Sequence, residues 1–450
     1  MMAKTKEGDG HIPSSPQQTN GGTSLWREAF LPYLITRIAL VLVGLLANFY
    51  ILPLLAKNPI LPSVSQNTRF PDVLWLMWNR FDAGFYVGIA ENGYWPASTL
   101  QSASNWIFHP LYPLLIIPFG HLFGDSDAAF DIAGILVSNG AALVAVAYLY
   151  LLVHRDFNAR IASLTVIYLA LFPTSFYLSA IFSESVFLAC AVTCIYYARQ
   201  HRWWIAGICG GLASLTRIQG LFLVVPVAWE YWQVLCDRYA PLPDRSDLSL
   251  REQGHIWLQS RLRGTSLAAR ELRNWLTLPA LALIPFGLVP FLIYSYIQTG
   301  DFLATIHNHS VGWGRQVENP LRLLAHSLIH PLPPNPMEWD FWVLNIIIVF
   351  AFLGFTIWSF RRLPTIYALY TFVMVLMPLS TGSLKSISRY YLMVFPALIL
   401  LALWSNRSKA SERTFLITSS FTAIQAVFMI FFVLGLPLIA WCKLLLCLYL

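Results

Sequence analysis

Eight polar side chains stand out in a chain that otherwise reads as apolar: Asp82, Glu91, His109, Glu184, Arg217, Arg315, Lys385 and Arg389. Asp82 is the hardest to account for. It lies in the stretch 72–95, DVLWLMWNRFDAGFYVGIAENGYW. On a helical period Trp75, Trp78, Phe85, Tyr86 and Ile89 fall within about 60° of it, while Arg80 and Glu91, with Gly84 and Gly88, take the other face. A carboxylate on the face that wants burial costs roughly several kcal/mol unless it is paired, neutralised or used. Arg217, in LASLTRIQGLFL, sits between two apolar stretches beside the helix-breaking Gly220, where a cation needs an anion or a wet cavity. Lys385 and Arg389 are four apart in SLKSISRYYLMVFP, on one helix face beside Tyr390 and Tyr391. Two such cations repel unless an anion lies between them, and a phosphate suits the guanidinium fork. Aromatic faces stack on sugar rings, a carboxylate can take a proton from an acceptor hydroxyl, and cations stabilise a departing phosphate. The chemistry that uses all three at a membrane surface is glycosyl transfer from a lipid-linked phosphosugar.

Some of these residues have structural readings of equal standing. Glu184, after Ser183 in FSESV, suits the positive end of a helix dipole as well as it suits a substrate. His109 before Pro110 is the setting of a hydrogen-bonded structural histidine more often than of a base. Arg322 and Lys57 read as solvated or snorkelling. The six cysteines lie in or against apolar windows and not in the long polar loops, so no disulfides and no structural zinc are expected.

The elements that must hold these groups follow from composition. With 57% hydrophobic, 15% aromatic and only 11% charged residues in 450, the chain lies far from the soluble norm of about 25% charged. It reads as an all-α, polytopic membrane protein, since spanning strands would alternate polar and apolar residues. The net charge of +7 is topological and does not point to nucleic acid, because no soluble segment clusters basic residues with stacking aromatics. Residues 1–28 read as a disordered cytoplasmic tail and 29–450 as one transmembrane domain. About eleven crossings are expected: 30–55, 128–153, 160–179, 184–198, 203–216, 219–236, 276–298, 341–360, 363–380, 388–405 and 414–437. The piece Phe108–Phe123 carries His109, Pro110, Pro113, Pro118 and His121 and reads as interfacial.

With the N-terminus in the cytoplasm, that parity puts 19 of the 29 Lys and Arg residues inside, seven of them in the basic loop 237–275. The large first loop 56–127, the turns at Glu184, Arg217 and 381–389, and the loop 299–340 then share the extracytoplasmic side. The absence of a retention signal and a single outer-side sequon at Asn308 point to a prokaryotic plasma membrane, with the endoplasmic reticulum membrane as the alternative.

The runs RFDAGFYVGIAENGY, FHPLYPLL, FPTSFYLSAIFSESVFL, LASLTRIQGLFL, GDFLATIHNHSVGWGR and SISRYYLMVFP resemble, in that order over roughly residues 30–400, the PIG-V family of mannosyltransferases, GT-C-type membrane enzymes related to GPI mannosyltransferase II. The resemblance implies an inverting transferase that takes mannose from a polyprenyl or dolichyl phosphate and uses an acid of the first outer loop, where Asp82 stands. It matches the family's following aromatic to Tyr86, its Gly-Tyr pair to Gly93 and Tyr94, and its Trp-Gly-Arg to Trp313, Gly314 and Arg315. The expected roles are Asp82 as base and Arg217, Lys385 and Arg389 as donor-phosphate ligands. Trp78, Tyr86, Tyr94, His109, Glu184, Trp313, Arg315 and Tyr390 would contact substrate. No cofactor or divalent metal is expected. The partners are a lipid-linked sugar donor, a glycan or glycolipid acceptor and the bilayer, with room for an accessory membrane subunit. A flippase of lipid-linked saccharides is the alternative; it would place ionisable residues near mid-span in paired halves.

Overall fold

The structure, a computed structural model, describes residues 25–55, 69–98, 104–242, 250–330, 342–407 and 409–436. The described chain is helical, and no strand occurs in it. α1 (Trp26–Leu54) is followed in the first loop by α2 (Val73–Leu76), α3 (Ala83–Asn92) and α4 (Leu111–Phe123). Then come α5 (Asp127–Asp156), α6 (Ala159–Leu171), α7 (Glu184–Arg199), α8 (Trp203–Thr216) and α9 (Ile218–Tyr239). The basic loop holds α10 (Leu250–Ala268), and α11 (Leu272–Phe286) meets α12 (Val289–Thr299) at a 43° bend. α13 (Ala304–Trp313) and α14 (Pro320–Ile329) precede α15 (Trp342–Arg362), α16 (Thr365–Leu379), α17 (Ile387–Tyr391), α18 (Phe395–Ser405) and α19 (Ala410–Val433).

Every expected crossing coincides with a helix or helix pair, but five are long and apolar enough to cross a bilayer, or six with the bent pair counted as one. Several of the rest, α6, α8, α16 and α18 among them, are apolar helices of 10–17 residues; the window 203–216 matches α8, whereas 160–179, 363–380 and 388–405 are longer than α6, α16 and α18. α6 shows why. It stops at Leu171 because Pro173 has no N–H and disfavours a helical residue before it. The chain then leaves α-helix as far as Ser183, with one 3-10 turn at Ser175–Leu178, which inside a membrane requires that its freed carbonyls find donors in protein. Arg37 donates to the carbonyls of Ala170 (2.7 Å) and Ser175 (2.8 Å), and Gln425 to those of Ala170 (2.9 Å) and Phe172 (3.1 Å). Two side chains from α1 and α19 thus hold the irregular segment in place.

The tail also differs from expectation at its inner end. Residues 1–24 lie outside the described residues, but the helix of α1 already includes Trp26–Phe30. Glu28 fixes that turn, accepting the Tyr150 hydroxyl at 2.7 Å on its carboxylate and the Ser163 hydroxyl at 3.1 Å on its carbonyl.

Most of the buried apolar residues form one cluster between α5, α6, α7, α16 and α18. A second cluster packs the first-loop helices against α5 and α19 through Tyr86, Tyr112, Phe130, Phe182 and Phe432. Backbone meets backbone where α8 crosses α11: a Cβ at Gly207 would lie 1.9 Å from the carbonyl oxygen of Ala280, and one at Gly287 2.2 Å from that of Gly211. This contact sets α8 and the turn that follows it.

Candidate active site

The stretch 72–95 is not one helix. α2 ends at Leu76, and α3 begins at Ala83, with Phe81 at φ 55° between them and Asp82 at the N-cap position of α3. Tertiary contacts override the helical propensity of the linker. Asn79 donates to Asp131 at 2.6 Å, the Arg80 Nε donates to the carbonyl of Val433 at 3.0 Å, and Phe81 packs on Phe432. Trp75 and Trp78 therefore do not share a helical face with Asp82, and Trp78 is buried in the second core away from the cavity lining. Lys385 likewise does not share a helix with Arg389, because Ser386 at φ 63° precedes α17.

Breaking these helices brings the polar residues together. Asp82, Tyr86, His109, Arg217, Arg315, Lys385, Arg389 and Tyr390 all line one cavity of about 280 Å³. Arg389 donates from Nη1 to Asp82 Oδ2 at 2.8 Å, and its Nε lies 3.1 Å from Glu184 Oε1. Arg217 Nη1 donates to the same Glu184 oxygen at 2.8 Å and to the Ser183 hydroxyl at 2.9 Å, which also pairs with the Tyr86 hydroxyl at 2.8 Å. Arg217, Arg389 and Arg315 stand 5.3, 5.4 and 5.6 Å from the centre of the Tyr390 ring. Arg315 also donates to the Tyr390 hydroxyl (3.3 Å) and to the Lys385 carbonyl (3.0 Å). Burial raises the Tyr86 phenol above its ordinary range, so it remains a hydroxyl.

The charges do not cancel. Four cations, Arg217, Arg315, Lys385 and Arg389, face two carboxylates, Asp82 and the fully buried Glu184, which leaves two positive charges in formal surplus. One buried guanidinium N–H, Nε of Arg217, has no hydrogen-bond acceptor among the described residues, while Nε of Arg389 meets an acceptor in Glu184 Oε1 alone. Glu184 Oε2 is likewise without a donor there. Glu184 sits in the first turn of α7, yet neither it nor Ser183 caps that helix through a side chain. Its carboxylate serves the two arginines.

Two histidines complete the lining. His109 is buried, and its Nδ1 lies 3.1 Å from the Ser214 carbonyl, so Nδ1 carries the proton and Nε2 is left as an acceptor. Burial pulls its pKa down to about 4. His309 was not foreseen from the sequence. α13 aims it, docking on the first loop through the Thr305 hydroxyl to the Trp106 carbonyl (2.9 Å) and through Asn308 to the Ser104 N–H (3.2 Å). His309 Nδ1 is buried without a partner among the described residues, and burial, with Arg315 and Arg217, takes its pKa to about 4. The signal that could have revealed it was its position in the same run as Trp313-Gly314-Arg315. Thr216, Gln219 and Thr381 also line the cavity without having been singled out. Asn308 has no exposure, so the sequon there is closed to glycosylation in this fold.

Tyr94 stands outside this cavity. It lines a neighbouring apolar groove of about 350 Å³ with Ile89, Pro113, Leu114, Phe291 and Tyr294. The His109–Pro110 and Leu215–Thr216 pairs each give one residue to the cavity and the next to the groove. Glu91 is on the far end of α3 and lines neither, and the side chain of Trp313 lies outside the described residues.

Comparison with known proteins bears on this arrangement. The family profile for dolichyl-phosphate-mannose-protein mannosyltransferase matches residues 109–238, a segment that contains His109, Glu184 and Arg217. GPI mannosyltransferase 2 of Schizosaccharomyces pombe is 29% identical over 150 residues, which are 33% of this chain and 31% of that enzyme. The match thus spans about a third of the length of the curated relative. Among solved structures, the Archaeoglobus fulgidus oligosaccharyltransferase in the apo form superposes with a TM-score of 0.43 at 14% identity, covering 92% of this chain and 57% of that one. ArnT from Cupriavidus metallidurans bound to undecaprenyl phosphate gives 0.43 at 14% identity, covering 81% and 75%. The sequence matches agree with the motif-level resemblance to PIG-V mannosyltransferases.

Proposed function

We propose that the protein is an inverting glycosyltransferase that moves a hexose, mannose on the resemblance, from a polyprenyl or dolichyl phosphate to a hydroxyl of a lipid-linked or glycan acceptor on the extracytoplasmic side. The observation that carries this reading is the cavity's anion deficit: surplus positive charge with a buried Arg217 N–H lacking an acceptor, beside a carboxylate and next to an apolar groove. A polyprenyl phosphosugar is a monoanionic diester with a greasy tail. Its phosphate supplies the missing acceptor and the missing negative charge, and its first isoprene units fit the groove beyond His109 and Thr216.

The reaction forms a bond between the acceptor oxygen and the sugar C1 and breaks the bond between C1 and the phosphate oxygen. The leaving polyprenyl phosphate gains a second negative charge, which Arg217, Arg389, Arg315 and Lys385 stabilise. The acceptor proton goes to Asp82. In the resting site Asp82 is held by Arg389 at 2.8 Å. Donor phosphate exchanges for Asp82 on that guanidinium and releases the carboxylate to act as base, so donor binding precedes activation of the acceptor. His109 and His309, neutral near pH 7, position sugar hydroxyls. The charge work falls to guanidinium groups, and we propose no divalent metal for it.

The test is transfer from polyprenyl-phosphomannose to candidate acceptors by the purified protein in detergent, with chelator present. Product without a sealed vesicle is the expected result; no product in detergent, with donor translocated by the protein reconstituted in sealed vesicles, would favour the flippase. Asp82→Asn should retain donor binding and lose about 10²- to 10⁴-fold in turnover. Unimpaired transfer by a folded Asp82→Asn protein would remove Asp82 from its role.

A further inference from the structure

α8 joins two sites. Its last residue, Thr216, lines the cavity described above, and its first, Trp203, lines a second cavity of about 430 Å³. Fourteen residues of helix separate the two by about 20 Å. The second cavity is walled by His201, Arg202, Trp203 and Trp204 on one side and by Arg273 and Thr277 from the start of α11 on the other. The two walls hold a fixed spacing because α8 and α11 are in backbone contact at Gly207 and Ala280, four residues beyond Trp203 and three beyond Thr277.

The chemistry of this cavity is cationic and unbalanced. Neither the Arg202 nor the Arg273 guanidinium has a carboxylate or hydrogen-bond partner among the described residues. Of the nearby carboxylates, Asp156 and Glu230 both bind Arg199, at 2.8 and 2.5 Å, and Glu271, two residues before Arg273, is exposed and paired with neither Arg202 nor Arg273. His201 stacks on Trp203. Burial lowers its pKa, Glu230 acts in the opposite sense, and Arg155, Arg199 and Arg238 add to the lowering. The surroundings are apolar and open. Trp204 is 52% exposed, and Leu272 (72%), Trp275 (54%) and Leu276 (64%) flank Arg273. Indoles and leucines beside unpaired guanidiniums are the makeup of a membrane interface at headgroup depth.

We infer that this cavity binds the headgroup phosphate of an anionic phospholipid in the leaflet opposite the glycosyl-transfer site. The two guanidiniums take the phosphate oxygens, and Trp204, Leu272, Trp275 and Leu276 lie along the acyl chains. The apolar flank is what selects a lipid over inorganic phosphate, which has nothing to bury there.

Native mass spectrometry of the full-length protein in detergent tests this, with phosphatidylglycerol or phosphatidylcholine added at equal concentration. Wild type should retain one phosphatidylglycerol in preference to phosphatidylcholine. The double variant R202Q/R273Q should bind it at least about 10-fold more weakly, while R361Q/R362Q, which removes two exposed arginines at the end of α15, should bind as wild type. Melting temperature reports whether each variant is folded, and the single variants R202Q and R273Q serve if the double does not fold. Equal binding of both lipids, wild-type affinity in the folded Arg202 and Arg273 variants, or an equal loss in R361Q/R362Q would overturn the assignment. So would displacement of the lipid by millimolar inorganic phosphate, which would make the site one for the free anion.

Discussion

Glu184 is one carboxylate shared by two buried arginines, and its chemistry decides how the cavity holds together. With no exposure of its own it accepts Arg217 at 2.8 Å and faces Arg389 at 3.1 Å. Removing one partner of a buried ion pair typically costs about 3–5 kcal/mol, because the other charge remains desolvated. Glu184→Gln keeps the shape and removes the charge, so the variant should melt well below wild type. It should also recover more stability than wild type when polyprenyl phosphate is added, because the incoming anion then replaces a missing one. Melting curves in detergent with and without the lipid phosphate measure this difference. An equal gain in both proteins would mean that Glu184 and the ligand do not compete for the same guanidiniums. Most of these residues were legible as chemistry in the sequence, since a cation embedded in apolar surroundings is conspicuous wherever it occurs. His309 was not, because a histidine in a polar loop carries no such contrast and acquires its meaning only when Thr305 and Asn308 dock α13 on the first loop.

The elements were legible where apolar period and breakers agree, and not where tertiary contacts override them. Pro173 and Gly220 both mark breaks that the structure contains. The break at 77–82 carries no proline or glycine; it is imposed by Asn79 on Asp131 and Arg80 on the Val433 carbonyl, partners that no local pattern reveals. That break turned an apparent stripe around Asp82 into an N-cap position at a cavity. The turn that carries Arg217 is sharper in its demands. Gly220 lies against the end of α8, where a Cβ would come within 2.2 Å of the Ala213 carbonyl carbon and the Ser214 nitrogen. Backbone cannot rotate out of the way as a side chain can. Gly220→Ala should therefore cost about 1–3 kcal/mol or more in stability and shift Arg217, lowering turnover even where the protein is still folded. Thermal melting paired with single-turnover transfer separates the two losses. Wild-type behaviour in both would show that the turn can open without disturbing the site.

Across the whole molecule, the order of the apolar segments was legible in hydropathy, whereas how much of each is helix often was not. Crossings such as 160–179 are completed by irregular chain tied to Arg37 and Gln425, and hydropathy does not distinguish that from helix. Burial of this kind also governs the response to acid. His109 and His309 have pKa values of about 4 in the folded protein against 6.5 in a free chain. Between those values the unfolded chain binds more protons than the folded one. The stability these neutral histidines contribute is therefore complete above pH 6.5 and lost as the pH falls toward 4, with a slope of up to about 1.4 kcal/mol per pH unit for each. Melting temperature should be level from pH 8 to 6.5 and then decline. His109→Asn, which keeps a donor for the Ser214 carbonyl, combined with His309→Gln removes both titrating rings and should flatten the decline. If the double variant loses stability with acid as steeply as wild type, other groups carry the dependence and the two rings are not held neutral by the cavity.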